Sequence, residues 1–139
     1  MVWQGMQKIF SKKGCCLEEE QYLEIPKDRD LRRMFYKIRL AGLALSADIL
    51  VFASAVQGAE AVGYLHDLEI KVPEEIEVIA VGKEETALIC RPQLTTVEFD
   101  KKRFVRQVIE ELYVQMIKGY ILTKSGKISV KTIIRGSCN

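Results

Sequence analysis

The stretch VPEEIEVIAVGKEETALICRPQLTTVEF, residues 72–99, decides the fold. Ile76 to Val81 is apolar enough to be a buried strand. Glu84 to Cys90 has room for one helical turn before Pro92, and Leu94 to Phe99 is rich in Thr and Val, as strands are. Strand, helical turn and strand here are one stretch of an alternation that runs along the chain. Where the first strand ends, a protein that grips a polar small molecule usually carries a carboxylate or an amide. This chain carries Gly82, which has no side chain to grip with.

Working outward, Asp100 to Gly119 reads as the longest helix, capped by Asp100, and Ile128 to Ile134 alternates as a final strand. Residues 119–127 are the best loop candidate. Upstream, Ala55 to Leu68 is a helix of small residues, and Asp48 to Ala53 (DILVFA) is a strand that reads as buried on both faces. Asp28 to Ala44 is a helix capped by Asp28 or Asp30, with Leu31, Met34, Phe35, Ile38 and Leu45 as its inner stripe. Gln21 to Ile25 is a short strand candidate, and Met1 to Lys12 is a helix stopped by Gly14. Strands alternating with helices predict an α/β fold, a parallel sheet with helices on both faces.

Such sheets bind ligands at the carboxyl ends of their strands. Those ends read Ser54-Ala55-Val56, Gly82-Lys83-Glu84 and Pro26-Lys27-Asp28, and neither of the first two offers a carboxylate pair. No glycine-rich phosphate loop is present. Ser54 lacks a GxSxG setting, and His66 lies in the same helical segment without an Asp to orient it, so neither reads as catalytic. His66 reads instead as a helix-end side chain near the negative pole, and Lys83 as part of an exposed, self-screened charge cluster.

The 139 residues suit one domain and carry a net charge of +2, too small to argue for nucleic acid. Arg29, Arg33 and Lys37 share one helix face, and Lys101, Lys102, Arg103 and Arg106 open the last helix. Neither group is interleaved with aromatics, so both read as solvated faces. The Lys101–Arg103 cluster sits badly, at the positive end of its helix. Cys15, Cys16, Cys90 and Cys138 form no CxxC, and with a single histidine no metal site or cofactor is expected. No secretory leader is read at the start. The apolar run Leu40 to Val56 contains Asp48 and falls short of the ~20 residues of a spanning helix, so a soluble cytoplasmic protein is expected.

Val72-Pro73-Glu74-Glu75-Ile76, Val78-Ile79-Ala80-Val81 and Pro92-Gln93-Leu94-Thr95-Thr96-Val97 together resemble the ligand domain of the lactose- and galactose-repressor (LacI/GalR) family of transcription regulators. Gly5 in the first helix, Phe52 and Ala59 further on, and the closing Ile133-Ile134-Arg135-Gly136-Ser137 fit the same pattern, which runs along nearly the whole chain. The resemblance implies one lobe of a periplasmic-binding-protein-like fold. Residues 1–99 would form the carboxyl-terminal lobe, and residues 100–139 the long helix and final strand that cross to the other lobe in the family. It implies a non-enzymatic effector-binding and dimerisation subdomain, with DNA read only through a helix-turn-helix outside this chain.

The family's pocket residues do not carry over. Its Arg falls on Val2, its Asn-Asp pair on Ala55 and Val56, and its strand-end Asp on Gly82. Each lost partner of a ligand hydroxyl costs roughly 1–3 kcal/mol, so the sugar grip is expected to be gone, with an unknown effector or none. On that reading Gly82→Asp changes nothing. Glu69 replaces the family's helix-ending Gly and is expected to take a left-handed conformation. The family's homodimer interface maps to Glu60, Ala61, Tyr64, Ile89 and Cys90, with simple core an equal reading for Ile89. Val105, Ile109, Leu112, Tyr113, Met116 and Tyr120, widened by Val108 and Ile117, form an apolar stripe expected to be covered by the same subdomain rearranged or by a second chain, the alternative being that the chain is a piece of a longer regulator. The alternative function is a stand-alone protein-interaction (oligomerisation) module without a small-molecule ligand. A doubly wound enzyme is the weakest reading, because no strand end presents a nucleophile or base.

Overall fold

In the computed structural model, residues 2–14, 17–82, 84–119 and 129–139 are described, with backbone only for Val2, Glu20 and Glu84. The chain divides into two units, Met1–Ser46 and Ala47–Asn139.

The first unit holds α1 (Val2–Lys12) and α2 (Arg29–Ala44). Gly14 stops α1 as expected, in the left-handed region at φ 80°. Between the helices the strand expected at Gln21 to Ile25 does not form. Glu19–Gln21 is a 3-10 turn instead, closed because the Glu18 N–H donates to Gln21 Oε1 at 2.9 Å. That local hydrogen bond competes with extended pairing and wins here. Asp28 caps α2, its Oδ1 accepting from the N–H groups of Asp30 and Leu31, both at 3.0 Å. The inner face of α2 is not the stripe expected from periodicity. Tyr36 and Leu40 are buried and Phe35 is half-buried, while Leu31, Met34, Ile38 and Leu45 are exposed. The helix carries two apolar stripes, and the buried one includes a tyrosine that hydropathy ranks as polar.

The second unit is built on a four-stranded sheet in the order β1-β2-β3-β4: β1 Ile49–Phe52, β2 Glu77–Val81, β3 Thr95–Phe99 and β4 Val130–Ile133. The first three strands are parallel, with Phe52 beside Ala80 and Ala80 beside Thr96. The result is a mixed α/β fold, a mostly parallel sheet flanked by helices. Two details differ from expectation. β1 lies at an edge and is covered on one face only: Ile49 and Val51 on one face are exposed, while Phe52 on the other is buried. β4 runs antiparallel to β3, pairing Glu98 with Lys131 and Phe99 with Val130. A parallel return needs the connecting helix to pack back onto the sheet. The connector, α5 (Lys101–Lys118), has no buried residue and makes no such crossover.

α3 (Ala55–Asp67) packs on β1 and β2, and its small residues let it come close. A Cβ on Gly58 would stand 2.9 Å from Ala80 Cβ and 3.1 Å from Leu94 Cδ2. Ala61, Val62 and Leu65 complete the buried face of α3, against a core that includes Phe52, Ile76, Val78 and Leu94. The helix ends in a Schellman turn: Glu69 N–H donates to the His66 carbonyl and Ile70 N–H to the Leu65 carbonyl, both at 3.0 Å. Glu69 takes φ 60°, the left-handed conformation expected where the family has Gly.

Candidate functional site at the strand ends

The carboxyl ends of β1 and β2 meet at Ala55 and Gly82. Ser54 precedes α3 as its N-cap without a side-chain capping bond, and Ala55, the first helical residue, is buried. Gly82 continues the β2–β3 pairing, its N–H donating to the Val97 carbonyl at 3.2 Å. A Cβ on Gly82 would lie 2.5 Å from Ala55 Cβ and 3.0 Å from Ala55 N. The two positions are therefore one packed contact, with no room for a side chain between them. The expectation that Gly82→Asp is silent is corrected by this geometry. Val56 is exposed next to the contact. Val2 lies in α1 of the first unit. Lys83 falls outside the described residues, as do Tyr120 on the last-helix stripe and the cysteine pair at 15 and 16.

The positions mapped to a dimer interface separate into two kinds. Ala61 is fully buried against the sheet, because it sits on the inner face of α3, and it is not a surface residue. Glu60, Tyr64 and Cys90 are half-buried, and Ile89 is exposed rather than core.

The closing Arg-Gly-Ser segment does more than sequence alone revealed. Ser137 is wedged at the amino ends of β2 and β3. Its hydroxyl accepts from Thr95 N–H at 2.8 Å and donates to the Val78 carbonyl, and its own carbonyl accepts from Val78 N–H at 2.8 Å. Arg135 Nη1 donates to the Leu94 carbonyl at 2.9 Å and to Thr96 Oγ1 at 2.8 Å, and its Nη2 stands 3.9 Å from Glu98 Oε1. Beyond the wedge, the Cys138 thiol and the Asn139 N–H both donate to the Glu77 carboxylate, at 3.0 and 3.1 Å. Those donors hold the Glu77 carboxyl below its usual range. The carboxylate in turn pushes the Cys138 thiol up to about 11, with burial adding to the effect. The family resemblance of Ile133-Ile134-Arg135-Gly136-Ser137 was the available signal, since Gly136 and Ser137 lie in a turn with no regular spacing to read.

Among the described residues no cluster of three His, Cys, Asp or Glu could hold a metal, and no helix is long and apolar enough to cross a membrane.

The model of the periplasmic binding protein-like domain matches residues 2–138, nearly the whole chain. The chain belongs to that family. Its fold is shared by transcription regulators of the LacI type, in agreement with the pattern read from VPEE-I and P-x-LTTV. CelR in complex with cellobiose is 18% identical with a TM-score of 0.79, over 97% of this chain and 41% of that one. CcpA of Lactococcus lactis is 16% identical with a TM-score of 0.72, over 97% and 49%. A sugar-binding LacI-family regulator from Escherichia coli, complexed with phosphate, is 21% identical with a TM-score of 0.72, over 96% and 47%. This family member thus spans less than half the length of each of these regulators. Among curated proteins no sequence matches.

Proposed function

We propose that the chain is the effector and dimerisation lobe of a LacI-type transcription regulator in which the polar sugar grip has been lost, and that it performs no chemistry of its own. The observation that carries the reading is the Ala55–Gly82 contact. In a chain matched by the family over residues 2–138, two of the strand-end positions that hold a ligand in the resemblance are filled by each other. A polyol needs charge-assisted or paired hydrogen bonds from fixed side chains, and Ala55, Val56 and Gly82 supply none. On this reading the protein works in the cytoplasm as a homodimer through Glu60, Tyr64, Ile89 and Cys90, and reaches DNA through a helix-turn-helix on another segment. The exposed apolar residues of α5 favour a second reading, a lobe reused as a protein-interaction module without any effector.

Thermal unfolding against a panel of mono- and disaccharides, sugar phosphates and nucleobases tests the proposal. A ligand present at 100 times its Kd adds about 2.7 kcal/mol to stability. No member of the panel is expected to raise the midpoint at millimolar concentration. A saturable rise with any sugar would overturn the loss of the grip.

A further inference from the structure

We draw no further inference here: the strongest candidate, the apolar face that Leu31, Met34 and Ile38 expose on α2, is an unpartnered helix surface, and nothing in the structure shows what covers it.

Discussion

Ala55 stands where any side chain on Gly82 would have to go. The distance from a built Cβ on Gly82 to Ala55 Cβ is 2.5 Å, well inside van der Waals contact. Neither partner is a flexible side-chain tip, so the α3 start or the β2 end must move. Gly82→Ala is expected to cost about 1–3 kcal/mol, and Gly82→Asp at least as much, measured by denaturant unfolding. Pairing Gly82→Ala with Ala55→Gly should return part of that cost, a coupling of about 1 kcal/mol in a double-mutant cycle. Strict additivity would mean that the two residues do not share the space.

Ser137→Ala removes one hydroxyl and strands two backbone groups, the Thr95 N–H and one lone pair of the Val78 carbonyl, in a place with no exposed surface. An unsatisfied buried donor costs about 1–3 kcal/mol. The expected drop in stability falls in that range, and for a chain of this size each 1 kcal/mol moves the thermal midpoint by roughly 3–5 °C. Ser137→Thr, which keeps the hydroxyl but adds a methyl to a packed site, should cost less than Ser137→Ala only if the wedge has slack. A neutral Ser137→Ala would show that the carboxyl-terminal wedge carries no load.

Much of this was legible beforehand. The alternation of apolar runs with helical periodicity gave β1, α3, β2, β3 and α5 within a residue or two, and Asp100, together with Asp28 as one of two candidates beside Asp30, accepts helix N–H bonds as a cap. Glu69 was placed at a left-handed position through the family resemblance, in which a helix-ending Gly stands there. Sequence failed where a choice depended on what the chain meets in space. β1 is as apolar as an inner strand yet lies at an edge, and β4 alternates equally well in either direction. α2 has two apolar stripes, and periodicity cannot say which one faces inward. Nor does a glycine announce that its empty side is already filled by Ala55.

The Glu77–Cys138 pair sets a pH window at each end of the scale. The Cys138 thiol lies at about 11, above the ordinary 9.0, because a carboxylate accepts its proton. A group raised on folding favours the folded state fully below its unfolded value, and that contribution is lost as pH rises from 9 through about 11. Glu77 is depressed, so its contribution is present above the ordinary 4.5 and is lost as pH falls below it. Residue-resolved alkylation by mass spectrometry should show Cys138 reacting with a midpoint near pH 11. Glu77→Gln should bring that midpoint down toward 9. A midpoint near 9 in the unsubstituted chain would remove the pair from the account.

Gly58 and Gly63 lie on the same helix, and their substitution by alanine separates packing from propensity. At Gly63 a Cβ meets nothing within 4 Å, so Gly63→Ala should stabilise by about 0.4–1 kcal/mol through the unfolded chain and helix propensity. At Gly58 the same methyl would sit 2.9 Å from Ala80 Cβ and 3.1 Å from Leu94 Cδ2, with Phe52 Cβ at 3.6 Å. Leu94 can shift, but Ala80 is fixed on the middle of β2, so α3 must lift from the sheet. The propensity gain is then outweighed, and Gly58→Ala should destabilise by about 1–3 kcal/mol. Because α3 begins at Ala55, three residues before Gly58, any lift also loosens the Ala55–Gly82 contact. Gly58→Ala should therefore lessen the cost of a subsequent Gly82→Ala, and equal costs in both backgrounds would mean that α3 does not move as a unit.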